Sequence, residues 1–310
     1  MIEVPETFAR STVEREGATG TAWLTELPGI VEELMQRWGC APDGEVMHGG
    51  VGVIVPVRRP DRSAAVMKVS FPHPGNVHEP DAFDAWGGRG AVLMHARDDE
   101  RYAMLLERVR ASTLAEVEDG DEVVKVAGRL NRRLAVPAPP DLPRLREQTD
   151  AWEEQLRTDA EELSHALSRR TVDAAVTTVR EVGRDQPDLL IHGDLHGRNI
   201  LRAEREPWLA VDPKGYVGDP AYDGGILLKS RALSIVEADD PLKAVHRIMD
   251  VFAEAAEVDR ERVQRWAQFH AVQAAFWARR NGFRMARGGP LLDMLTEFVD
   301  HLAELLVERA

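Results

Sequence analysis

Apolar residues recur at three- and four-residue steps between Trp23 and Trp38 (Trp23, Leu24, Leu27, Ile30, Val31, Leu34, Met35, Trp38), so residues 5–40 are expected to be helical. Pro28-Gly29 is expected to divide them into two helices, and Gly39 to stop the second. The pattern then changes. Glu45–Val57 and Ala64–Phe71 read as strands joined by turns, and residues 89–97 and 101–107 as two more. A short helix should open at Glu79-Pro80 and run through Ala82, Phe83 and Trp86 to Gly87-Gly88. Helix is predicted again over 113–134. Pro137–Pro143 makes an extended linker, and 145–183 give long helical patterning with Trp152, Leu156, Leu163, Leu167, Val172 and Val176 as core candidates. Later helices are predicted from an Asp259 N-cap to Asn281 and from Leu291 to Val307. There is no internal repeat and no low-complexity tract.

Between the helical stretches lies the most informative segment. The apolar run Leu189-Leu-Ile191 feeds a polar loop, Ile200-Leu201 follows, and Trp208-Leu-Ala-Val ends in Asp212. Short strands thus bracket His192, Asp194, His196 and Asn199, with Asp212 just beyond. Polar groups collected at strand ends point to chemistry. Asp194 as base, Asn199 five residues later and Asp212 on the next strand match the division of labour in phosphoryl transfer. His192-x-Asp194-x-His196 also fits a zinc metallohydrolase, and a polar turn bonding only its own backbone fits as well.

Upstream residues favour phosphoryl transfer. Lys68 interrupts an apolar strand, where a charge needs a partner or a ligand. Glu79, opening the next helix, is the expected partner, leaving Lys68 to the α- and β-phosphates. A metallohydrolase has no use for that pair. Gly49 and Gly50, with Gly52, form a turn through which backbone amides can approach phosphate, although a plain hairpin turn fits equally. The strand Tyr102–Val109 turns abruptly polar, as at a hinge between lobes. Backbone groups near Glu107 and Val109 would bond adenine there, and Leu105 and Leu106 would wall the base.

Composition removes other classes. The chain has 310 residues, 44% of them hydrophobic, enough for a sizeable core. No run of 18 apolar residues predicts a membrane span, and Met1-Ile-Glu-Val-Pro-Glu lacks the blocks of a signal peptide. The single cysteine, Cys40, excludes an intrachain disulfide and fits a reducing, cytoplasmic setting. A net charge of −14 argues against nucleic acid as a partner and suits a cationic ligand.

The order of Lys68, Glu79, Leu105-Leu-Glu-Arg108, His192-Gly-Asp-Leu-His-Gly-Arg-Asn199 and Arg205-Glu-Pro-Trp-Leu-Ala-Val-Asp-Pro213 resembles the aminoglycoside phosphotransferases. The branch with streptomycin 6-kinases and aminoglycoside/hydroxyurea resistance kinases also carries Val217-Gly-Asp-Pro220 with Asp223 soon after. The likeness spans roughly residues 20–285. It implies an α+β, bilobal eukaryotic-protein-kinase-like fold, with an antiparallel-sheet N-lobe (1–107) and a mainly helical C-lobe (108–310). It implies ATP and Mg2+, Asp194 as catalytic base, Asn199 and Asp212 as metal ligands, and Lys68 with Glu79 on the phosphates. Asp219 and Asp223 would be structural, tying the catalytic loop down. A nucleotide-binding pseudokinase is the rival on the same fold, and the intact Lys68, Asp194, Asn199 and Asp212 argue against it.

The acceptor implied is a small hydroxylated, amino-containing molecule, streptomycin-like or else an amino sugar or other metabolite. His270, Gln273, Trp277 and Asn281 share or flank one face of the 259–281 helix and are the candidates to bind it by stacking and hydrogen bonds. Arg279, Arg280, Arg284 and Arg287 conflict with a cationic substrate if they face it. Glu237, Asp239, Asp240, Asp250 and Glu254 are the acids available to receive one.

Overall fold

In a computed structural model, which describes residues 2–163, 167–282 and 290–307, helix α1 (Glu6–Arg37) lies across an antiparallel sheet. That sheet is built from β1 (Ala41–Pro42), β2 (Met47–His48), β3 (Gly52–Arg58) and β4 (Ala64–Ser70). Helix α2 (Glu79–Trp86) then leads to β5 (Met94–Asp98) and β6 (Ala103–Glu107). The strand order is β1-β3-β4-β6-β5, with β2 on the outside of β3. Strand alternation sorts the side chains to two faces. Val53, Val55, Val57, Ala65, Met67, Val69, Ala103 and Leu105 pack under Leu27, Ile30, Val31 and Leu34 of α1. Met104 and Leu106 point the other way, into the core shared with α2 and the rest of the chain. Each such buried aliphatic side chain contributes about 1.5–3 kcal/mol, enough to hold α1 to the sheet.

Two expectations fail here, one to burial and one to backbone pairing. The break in α1 falls at Gly17, which adopts φ 61° and ψ −131°, and not at Pro28-Gly29. Pro28 sits inside the helix because the apolar residues on both sides of it, Leu27 and Ile30 to Leu34, are anchored on the sheet. Gly17 has a backbone geometry that side-chain-bearing residues avoid, with nothing within 4 Å of where a Cβ would stand. Gly17→Ala is therefore expected to lower stability by about 1–3 kcal/mol through the backbone alone, read as a fall in the thermal midpoint with the far-UV spectrum unchanged. An unshifted midpoint would show that the kink relaxes at no cost. Gly39, with φ 63°, does end α1 as expected. Strand β5 begins at Met94, later than the 89–97 prediction. Residues before it pair elsewhere: Ala210 N donates to Gly90 O (2.9 Å) and Val92 N to Ala210 O (3.2 Å).

Helix α3 (Gly120–Leu134) starts after the Asp119 cap, seven residues later than predicted. Thr113 and Glu116 cap each other in a short 3-10 turn instead. Then come β7 (Val136–Pro137), α4 (Thr149–Glu162) and α5 (Arg169–Glu181). The proline linker thus opens as a strand, and the 145–183 stretch is two helices. The 189–217 segment supplies β8 (Leu189–Ile191), β9 (Ile200–Arg202), β10 (Trp208–Ala210) and β11 (Tyr216–Val217). β8 runs between β11 and β7, and β9 pairs with β10. The chain finishes with α6 (Ala221–Ser230), α7 (Ala232–Val236), α8 (Pro241–Ala256), α9 (Arg260–Asn281) and α10 (Pro290–Leu305). Asp259 caps α9 as predicted. Trp266, Phe252, Phe269 and Phe276 fill the core beneath α6. Among the described residues no helix is long and apolar enough to cross a membrane.

Candidate active site

Register places Lys68 on β4 between Ile54 and Met104, on the sheet face turned away from α1. Its ammonium meets Glu79 at the start of α2 (2.5 and 2.7 Å) and Asp212 after β10 (2.6 Å). Strand β4, the start of α2 and the distant turn after β10 thus converge on one buried nitrogen. Burial alone would lower the Lys68 pKa, but Asp212 and Glu79 outweigh it and hold the ammonium firmly charged. Lys68 in turn keeps the Asp212 carboxyl well below the usual carboxylate range. Asp212 takes φ 59°, a left-handed conformation uncommon outside glycine and asparagine.

The loop after β8 is held from beneath. Asp223 on α6 accepts from the backbone N–H groups of His192 (3.1 Å), Gly193 (2.9 Å) and Leu195 (3.4 Å). Asp223 therefore ties the 192–195 loop down as expected. Asp219 does not: it accepts from Arg262 Nε (2.6 Å) and Trp266 Nε1 (3.0 Å), fixing α9 instead. His192 is fully buried and stacked on Trp86. Its Nδ1 accepts from Asp194 N (3.2 Å), so its Nε2–H donates to Val211 O (3.0 Å). Burial pushes its pKa down to about 3. With both ring nitrogens committed, His192 has no lone pair for zinc, which removes the metallohydrolase. Among the described residues no group of three or more His, Cys, Asp or Glu is arranged around a metal position.

Asp194, on the same loop, is half-buried. Burial raises its pKa above the ordinary value. Among the described residues its carboxylate has long neighbours: Asn199 Nδ2 at 3.5 Å, His196 at 3.7 Å and Lys214 Nζ at 3.9 Å. Asn199 turns back as predicted, its Nδ2 donating to Asp194 O (3.0 Å). That orientation leaves Oδ1 free. One amide oxygen and one ionised carboxylate are hard donors of the kind Mg2+ takes alongside phosphate oxygens.

The nucleotide side departs from expectation in three places. Leu105 points into the α1 core, so only Leu106 of that pair lies on the Lys68 face of the sheet. Neighbouring strand residues cannot wall the same base. The Glu107 N–H donates to Leu93 O (2.7 Å), and its carboxylate binds Leu93 N (3.0 Å) and Arg205 (2.9 Å). Any adenine contact of Glu107 falls to its carbonyl. Val109 is half-buried beside it. The Gly49 N–H closes the β2–β3 turn on Gly52 O (2.9 Å), and Gly50 O accepts from Arg15 of α1 (3.1 Å). Of the two turn glycines, only Gly50 keeps its amide out of the turn's own bonding.

On the substrate side the α9 face divides. His270 is buried, 4.5 Å from the Tyr222 ring, and belongs to the core. Gln273 is half-buried, while Trp277 and Asn281 are exposed. Arg279 pairs with Asp300 of α10 (2.5 Å), and Arg280 with Asp159 of α4 (2.8 Å) and with Glu162. Both arginines pin α9 to its neighbours. Arg284 and Arg287 lie outside the described residues. Asp240 caps α8, and Asp250 pairs with Arg260 (2.6 Å).

Lys214 was not singled out from the sequence. Its Nζ stands 3.4 Å from Asp212 Oδ2 and 3.9 Å from Asp194 Oδ2. Its signal was its position, a basic residue two places past the strand-end acid in Asp212-Pro-Lys-Gly215.

A family model described as aminoglycoside/hydroxyurea antibiotic resistance kinase matches residues 37–282. Streptomycin 6-kinase of Streptomyces glaucescens is 37% identical over 279 residues, 89% of this chain and 91% of that protein. Hydroxyurea phosphotransferase of Kitasatospora aureofaciens is 33% identical over 286 residues, 91% and 82% of the two chains. Among solved structures, an amicoumacin kinase in complex with AMP-PNP and Ca2+ superposes with a TM-score of 0.59 at 11% identity, covering 89% of this chain and 93% of that one. The fold is thus the bilobal protein-kinase-like one, with an antiparallel N-terminal sheet and a mainly helical remainder.

Proposed function

This chain belongs to the aminoglycoside/hydroxyurea antibiotic resistance kinase family, and from that premise we propose that it moves the γ-phosphoryl of ATP to a hydroxyl of a streptomycin-like aminoglycoside. It is a small-molecule kinase. What carries the proposal is the convergence of Lys68, Glu79 and Asp212 on one point beside the loop of Asp194 and Asn199. In this reading residues 1–107 are the ATP-binding lobe and 108–310 the acceptor lobe, and a cytoplasmic setting suits ATP as donor.

In this assignment Lys68, oriented by Glu79, receives the α- and β-phosphates. The Glu107 carbonyl, the Val109 amide and the Gly50 amide meet the rest of the nucleotide. Asp194 orients the acceptor hydroxyl and accepts its proton. Asp212 and Asn199 Oδ1 would hold Mg2+, which when bound would neutralise phosphate charge. Gln273, Trp277 and Asn281 contact the acceptor, and His270 supports them from the core.

A second acceptor class, a small uncharged hydroxylated molecule, has one observation in its favour. Two of the acids available for a cationic sugar, Asp240 and Asp250, are already committed to a helix cap and to Arg260. ATP turnover with streptomycin, hydroxyurea and an amino sugar, each at two salt concentrations, tests both. A streptomycin KM that rises steeply with salt is expected, because surface charge pairing is screened over about 10 Å at 0.1 M. Turnover of hydroxyurea alone would move the assignment to the uncharged class, and no turnover of any acceptor would remove it.

A further inference from the structure

Building on the phosphotransferase assignment, we propose that Lys214 is a catalytic residue: its ammonium binds the γ-phosphoryl as it crosses from ATP to the acceptor. Lys214 Nζ lies between Asp194, which faces the acceptor hydroxyl, and Asp212, which faces the nucleotide phosphates. The phosphoryl must cross that interval. Neither contact, at 3.9 and 3.4 Å, has the 2.7–2.9 Å length of a charge-assisted hydrogen bond. Lys68, by contrast, has carboxylate oxygens at 2.5, 2.6 and 2.7 Å. Lys68 is held close by Glu79 and Asp212 at the position assigned to the α- and β-phosphates, whereas the Lys214 donors make no contact that short.

The position of Lys214 is built. Its N–H donates to His192 O (2.7 Å), which couples its backbone to the loop that Asp223 clamps. Gly193 and Gly215, at φ 78° and 66°, flank it closely; a Cβ on Gly193 would come within 3.1 Å of Lys214 Cβ, and one on Gly215 within 2.6 Å of His78 O. The aliphatic stem passes Gly75, where an added Cβ would stand 3.8 Å from Lys214 Cδ. The ammonium is thus delivered by packing, with few of its own hydrogen bonds spent.

The acceptor oxygen forms a bond to Pγ while the bond from Pγ to the β–γ bridging oxygen breaks. The hydroxyl proton goes to Asp194 and ADP leaves with the bridging electron pair. The three equatorial oxygens carry the charge throughout in a loose transition state, so a fixed ammonium beside them lowers the barrier electrostatically.

The test compares wild type with Lys214→Met and Lys214→Arg by calorimetric ADP binding, with and without aluminium fluoride, and by slow ATP hydrolysis with water as acceptor. In Lys214→Met, ADP alone should bind within about twofold of wild type. The extra affinity conferred by aluminium fluoride and the hydrolysis rate should each fall by about 10²–10³-fold, the range for losing one preorganised donor. Lys214→Arg should recover part of both, because it keeps the charge. Loss of ADP binding in parallel with and without aluminium fluoride would make Lys214 a structural pin for Asp212 and overturn the proposal. An unchanged fluoride effect would overturn it too. Wild-type protein with neither hydrolysis nor a fluoride effect would overturn the phosphotransferase assignment itself.

Discussion

Asp194→Ala is expected to cut turnover at least ~10²-fold, the range for a lost general base, while ADP binding stays close to wild type. The two readouts separate because the structure separates the parts. Nucleotide phosphates are assigned to Lys68, which Glu79 and Asp212 hold without any help from Asp194. Among the described residues the Asp194 carboxylate has no partner nearer than 3.5 Å, which leaves it able to receive a hydroxyl. The loop itself hangs from Asp223 through three backbone N–H groups, none of which the substitution touches. Asp194→Asn should behave the same way, since it keeps the shape and loses the proton acceptor. Wild-type turnover in either variant would sink the assignment of the base. Parallel loss of ADP binding would instead show that Asp194 organises the nucleotide site.

Much of the site was legible because its signals are local. A charge inside an apolar strand demands a partner, and Glu79 supplied it eleven residues later. The alternation of apolar runs and polar loop around 189–212 carries its own strand–loop–strand geometry, and Asn199 turns back within five residues. What the sequence hid depends on contacts made across the fold. Pro28 reads as a helix breaker by propensity, yet the sheet under α1 overrides it and Gly17 breaks the helix instead. The Glu107 carboxylate finds Arg205, 98 residues away, and its amide finds Leu93. Arg279 and Arg280 conflicted with a cationic acceptor only until Asp300 and Asp159 appeared beside them. His270 lies on the same helical face as Trp277, but that face runs from the core out to solvent, which periodicity alone does not mark. Leu105 was different: strand alternation already separates it from Leu106, and treating them as one wall ignored that period.

Asp212→Asn should lower turnover by about 10²–10³-fold and raise the magnesium concentration needed for half-maximal rate, more so than Asn199→Ala. Asparagine is the informative replacement. Asp212 sits at φ 59°, where alanine would add about 1–2 kcal/mol of backbone strain and confuse folding with chemistry, whereas asparagine tolerates that conformation. The change therefore removes one negative charge and little else. Lys68 keeps Glu79 at 2.5 and 2.7 Å, so the buried ammonium retains a counter-charge and the sheet should not loosen. The thermal midpoint is expected to move little for that reason. A cation held by Asp212 loses a full charge in this variant, while one held by Asn199 loses only a dipole in Asn199→Ala, and that difference sets the order of the two effects. Initial rates over a magnesium titration at saturating ATP, with the midpoint measured alongside, decide the matter. Rates that ignore magnesium in the wild type, or an Asn199→Ala defect deeper than that of Asp212→Asn, would remove Asp212 as the principal metal ligand.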